Sequence, residues 1–105
     1  MRKIDLSDYT VNTLTEQGEK PFPYSVKQSI EIALYHPDLK LNFRDLLEND
    51  RVAQKIKQAN GSVLLEETEY SRVKVAFENI QGFRREDVEL VKRVIEAPEV
   101  EVQEK

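Results

Sequence analysis

The sequence predicts an α+β domain, mostly helical, with three to four short helices and a small N-terminal β-ribbon. Three observations carry that expectation. Between Ser62 and Pro98, apolar residues recur at three- and four-residue spacing in two runs separated by Gly82, the pattern of two amphipathic helices joined by a short turn. From Ile4 to Leu14 the residues alternate imperfectly and include the strand-forming Tyr9, Thr10, Val11 and Thr13. Helix start and stop signals then punctuate the chain at Ser25, Pro37, Asn42, Asn60-Gly61, Gly82 and Pro98.

The ribbon is expected over residues 4–23. Ile4 to Leu14 reads as one strand, Gly18 among polar neighbours reads as a turn, and Pro21-Phe22-Pro23 keeps the returning chain extended, because residues before proline avoid the helical region. The first helix is expected over 25–36. Ser25 with Gln28 three residues on spells a capping box, Val26, Ile30, Ala33 and Leu34 form one buried face, and Ile32 and Tyr35 broaden the apolar surface, which suits either packing on two sides or a contribution to a partner interface. Pro37 ends it. A second helix is expected over 43–59, capped by Asn42, with Phe43, Leu46, Leu47, Ala53 and Ile56 turned inward. Asn49 and Asp50 are expected to interrupt it, since both side chains compete for local backbone hydrogen bonds.

Val63, Leu64 and Leu65 read as a brief extended segment under the helices. The helices at 66–81 and 84–97 follow, with Tyr70, Val73, Ala76, Phe77 and Ile80 on one stripe and Phe83, Val88, Val91, Val94 and Ile95 on the other. They are expected to bury each other as an antiparallel pair. Glu66, Glu67 and Glu69 open the first of them in the favourable sense of the helix dipole, and Gly82 is expected to close it. Residues 1–98 are thus expected to form a single domain and 99–105 an acidic tail, whose alternation at Glu99-Val100-Glu101-Val102 suits an edge strand.

Composition bounds the function. A chain of 105 residues with 39% hydrophobic and 34% charged residues supports one modest core. A net charge of -4 disfavours nucleic acid as a partner, since affinity for phosphate backbones needs concentrated lysine and arginine. The absence of cysteine removes disulfides, thiolate metal sites and thiol nucleophiles. No apolar run approaches the roughly 20 residues that span a bilayer, and no secretory pattern opens the chain. The expectation is a soluble protein of the cytoplasm, or of a particle assembled there, without membrane contact.

Chemistry-bearing patterns are sparse. His36, the only histidine, follows a helix, where an imidazolium complements the dipole, and no serine nucleophile or spaced carboxylates accompany it. Asn60, Gly61, Val63 and Glu67 imitate the second half of a calcium loop, but Ile56 and Gln58 stand where the first half needs oxygen ligands. Arg84, Arg85, Lys92 and Arg93 are interleaved with Glu86, Asp87 and Glu89, as on a solvated helix face. No catalytic, metal or cofactor-binding residue is assigned, and no cofactor is expected; the chain reads as a non-enzyme.

The run from Pro23-Tyr24-Ser25-Val26-Lys27 through Gly82-Phe83 to Glu96-Ala97-Pro98-Glu99-Val100-Glu101-Val102 resembles small accessory proteins of tailed bacteriophages and prophages. The resemblance implies a non-catalytic role in particle assembly or in binding a bacterial or phage protein, at repeated copy number. The leading expectation is therefore a protein-interaction or assembly module, acting on a protein partner or by self-association, with contacts at Tyr9, Val11, Arg84, Arg85, Val100 and Val102. The alternatives are a small regulator binding nucleic acid through the 84–96 helix and, third, an enzyme with an unrecognised site.

Overall fold

The computed structural model describes residues 1–101 and bears out the α+β expectation. In chain order the elements are β1 (Arg2–Asp5), β2 (Tyr9–Thr15), β3 (Gly18–Tyr24), α1 (Val26–Leu34), α2 (Phe43–Gln58), β4 (Ser62–Leu65), α3 (Glu67–Asn79) and α4 (Val88–Ile95), with 3₁₀ turns at Pro37–Leu39 and Arg85–Asp87. β2 and β3 form an antiparallel hairpin, and β1 pairs antiparallel with β4, Ile4 opposite Val63.

The N-terminal strand is two strands where one was expected. Asp5 is the reason: its Oδ1 accepts from the Ser7 amide at 2.9 Å and from the Ser7 hydroxyl at 2.7 Å, a local turn that competes with the ladder. The break lets Ile4 and Leu6 enter the core while Asp8 caps the first amide of α1, Val26 N–H, at 3.0 Å. The Ser25–Gln28 capping box does not form: the Ser25 side chain makes no cap bond, and the helix start is held instead by Asp8 on the neighbouring Val26 amide. Opposite β4, the other edge of β1 is covered by the chain's own tail. Lys3 N–H donates to the Pro98 carbonyl at 3.0 Å and Val100 N–H donates to the Met1 carbonyl at 2.6 Å, so that Arg2 and Glu99 face each other in an antiparallel backbone bridge.

α1 buries the predicted face, Val26, Ile30, Ala33 and Leu34, and α3 buries Tyr70, Val73, Ala76 and Phe77. The valine, isoleucine, leucine and phenylalanine side chains among them each contribute about 1.5–3 kcal/mol when fully buried. α3 and α4 run antiparallel as expected: the Tyr70 hydroxyl donates to the Val94 carbonyl at 2.6 Å, and Phe77 stacks with Phe83 at 5.6 Å between ring centroids. The pair does not close a core alone. It shares one cluster with Ile4, Leu6, Val26, Ile30, Leu34, Ile56 and Leu65.

Four helix details differ from expectation. α2 is unbroken, because Asn49 points inward and bonds other helices instead of its own backbone. Its inward residues are Asn49, Val52, Ala53 and Ile56, while Phe43, Leu46 and Leu47 face outward. In α4 the preceding 3₁₀ turn shifts the phase, so Leu90 and Val94 are buried and Phe83, Val88 and Ile95 are exposed. Gly82 does not cap α3, which ends in the extended Ile80; with φ of 92° it turns the connection instead.

Candidate functional site

Two surfaces stand out. The first is the outer side of α1 and the first half of α2. Phe43, Leu46 and Leu47 recur at three- and four-residue spacing and therefore share one stripe. Phe43 is 70% exposed, Leu47 58% and Leu46 44%. Asp50 continues the stripe by one turn and accepts a hydrogen bond from the Tyr35 hydroxyl, which joins α1 to it. One turn back along α1 lies Ile32, 59% exposed. The Tyr35 phenol is pushed up to about 12 by its bond to Asp50 and, secondarily, by burial, so it stays a neutral donor.

The second surface is the β2–β3 hairpin and the cleft beside it. At its base Tyr9 and Tyr24 stack at 4.6 Å, and Arg93 lies 5.1 Å from the Tyr9 ring centre. The Tyr9 hydroxyl donates to the Glu86 carbonyl at 2.8 Å and accepts from Leu90 N–H at 3.2 Å, and the Tyr24 hydroxyl bonds Asp87. Burial pushes both phenols upward, reinforced at Tyr24 by Asp87. Beyond this base, β2 borders a cleft of about 290 Å³ lined by Tyr9, Thr10, Val11 and Asn12 on one side and by Arg85, Val88 and Glu89 on the other.

The residues expected to make contacts divide between places. Tyr9, Val11 and Arg85 meet at the hairpin cleft. Arg84 precedes the 3₁₀ turn, its amide donating to Asp87 Oδ2 at 2.8 Å. Val100 sits against Met1, on the far edge of β1, and Val102 lies outside the described residues. The outward stripe of α2 was missed because apolar spacing alone does not say which side of a helix is covered. Thr10 and Asn12 were missed because neither type attracts notice in a strand. Arg93 is not free for phosphate: it bonds Glu89 at 3.1 Å and the Ser7 carbonyl at 2.6 Å.

Elsewhere, His36 Nδ1 accepts from Asp38 N–H at 3.1 Å and caps the 3₁₀ turn, a structural role. A cleft of about 380 Å³ between α2 and α3 gathers Asp38, Asp45, Asn49 and Arg72. Three of these groups are engaged with one another, Arg72 bonding Asn49 at 3.2 Å and Asp45 at 3.5 Å, and Asp38 lies beside His36. Among the described residues, no three His, Cys, Asp or Glu side chains converge as a metal site, and no helix is long and apolar enough to cross a membrane. Compared with protein-family models, curated proteins and solved structures, the chain matches none of them.

Proposed function

We propose that the chain is a non-catalytic protein-interaction module that works within an assembly, and that the outer surface of α1 and the first half of α2 receives the partner. The observation that supports this is the exposed apolar stripe Phe43, Leu46 and Leu47, with Tyr35 joined to its end through Asp50 and the exposed Ile32 one turn back along α1. Contiguous apolar surface on a small domain is costly in water, and such patches mark interaction sites more often than ordinary surface. The stripe's spacing suits a helix or a strand laid across it, and a phage or bacterial particle protein is the kind of partner the sequence resemblance implies.

The experiment is a double variant, Phe43→Ser with Leu47→Glu, in the full chain. Both positions are exposed, so folding stability should change by only about 0.5 kcal/mol. Affinity capture from the native host should recover a specific protein with the wild type and lose it with the variant. The same protein recovered by both, or none by the wild type, sinks the reading.

A further inference from the structure

The two outer edges of the β2–β3 hairpin differ in a way that bears on association. The register places Pro23 opposite Thr10 and Pro21 opposite Asn12. Proline has no amide hydrogen, so these are the pairs that exchange no ladder bonds, and the bonding pairs are the alternate ones, Tyr9–Tyr24, Val11–Phe22, Thr13–Lys20 and Thr15–Gly18. The outward groups of β3 therefore belong to Glu19, Pro21 and Pro23, an edge that lacks two of its donors and carries charge at Glu19 and Lys20. That edge is protected in the usual way.

The outward groups of β2 belong to Thr10, Asn12 and Leu14, each with an amide hydrogen and a carbonyl. Among the described residues no other element bonds them. β2 has neither proline nor charge over its whole length, Tyr9 to Thr15, and it is rich in residues that favour strands. An open edge of this composition, beside a protected one, is a template for pairing.

We propose that β2 pairs with β2 of a second copy of this chain, antiparallel, about a two-fold axis at Asn12. The outward positions are symmetric about Asn12, so Thr10 of one copy meets Leu14 of the other and Asn12 meets Asn12, and each of the three donates one backbone bond and accepts one. The surface is self-complementary, as a two-fold interface requires. Between Tyr9 and Thr15 no like charges face each other, although each chain is acidic overall; Asp8 and Glu16 of the two copies come opposite one another only past the strand ends, where Asp8 is turned onto the Val26 amide. The two hairpins then make one four-stranded sheet whose outer edges are the proline-bearing β3 strands, so pairing stops at two copies. This association uses a different surface from the α1–α2 stripe, and neither proposal depends on the other.

The test is sedimentation velocity on the full chain over a concentration series, with three variants at the axis. Asn12→Pro removes the central donor at a position where the hairpin ladder needs none, as Pro21 and Pro23 show on the facing strand. Asn12→Lys and Asn12→Asp each place like charges opposite one another across the axis. The wild type should be a dimer, and each variant alone a monomer with an unchanged circular dichroism spectrum and melting transition. An equimolar mixture of Asn12→Lys and Asn12→Asp should dimerise again, because only the mixed pair sets opposite charges face to face. A monomeric wild type, variants that dimerise like the wild type, a mixture that stays monomeric, or growth beyond the dimer would each overturn the proposal. The Phe43→Ser, Leu47→Glu variant should remain dimeric, which separates failure here from failure of the stripe.

Discussion

Asn49, in the middle of α2, donates from Nδ2 to the main-chain carbonyl of Leu34 at the end of α1, 2.8 Å away, and its own oxygen accepts from Arg72 on α3 at 3.2 Å. One buried side chain thus joins three helices and satisfies a carbonyl that helix geometry leaves without a partner. Asn49→Leu would leave the Leu34 carbonyl and the Arg72 guanidinium short of partners, a cost of about 1–3 kcal/mol. Asn49→Asp should cost at least as much, since a carboxylate cannot donate to Leu34. Urea denaturation of the three proteins checks this, and a leucine variant as stable as the wild type would show the bridge to be incidental.

The tail is the next test. Truncation before Pro98 removes the Lys3–Pro98 and Met1–Val100 backbone bonds and uncovers one edge of β1. At about 1 kcal/mol for each bond lost, stability should fall by about 2–3 kcal/mol, and the melting temperature by roughly ten degrees or more. The truncated chain should still dimerise through β2, which lies in the other sheet. An unchanged melting transition would show that the tail merely rests on β1.

Alkaline titration reads the α1–α2 contact. The bond to Asp50 and, to a lesser extent, burial hold Tyr35 protonated up to about 12, above the ordinary tyrosine value near 10. Because the folded value is raised, the contribution to stability is fully present below about 10 and is lost as pH rises towards 12. Tyr9, Tyr24 and Tyr70 are raised too, first by burial, so phenolate absorbance should appear late and stability should decline together with it. In Asp50→Asn the Tyr35 midpoint should return towards 10. A titration identical to the wild type would show that the two groups are uncoupled in solution.

Much of this architecture was legible in the sequence wherever burial and periodicity coincide. α1 and α3 each carry one apolar stripe and bury it, so Val26, Ile30, Ala33, Leu34, Tyr70, Val73, Ala76 and Phe77 were readable. α2 carries two stripes, Phe43-Leu46-Leu47 and Val52-Ala53-Ile56, roughly 120° apart around the helix at 100° per residue. Spacing identifies both as apolar, and only tertiary packing says which one is covered. Asn49 was illegible for a related reason: asparagine in a helix predicts a break unless a partner from elsewhere takes its side chain. The β2 edge needed the register as well, because Pro21 and Pro23 reveal which backbone groups point outward only once Asn12 and Thr10 are known to face them.

The position of β1 has a consequence for how the chain reaches its fold. Ile4 is paired with Val63, about sixty residues later, and Lys3 with Pro98, later still. At synthesis rates of about 5–20 residues per second, β1 waits for several seconds after it is made before β4 exists to receive it. During that interval Ile4 and Leu6 have no core to enter, while the β2–β3 hairpin, closed by a two-residue connection at Glu16-Gln17, pairs from neighbours on a microsecond timescale but is only marginally held until Glu86 and Leu90 exist to bond Tyr9. The nascent chain therefore displays its arm before its body, and an arm with an open uncharged edge is a hazard on a crowded polysome, where the nearest matching strand belongs to the neighbouring ribosome's copy.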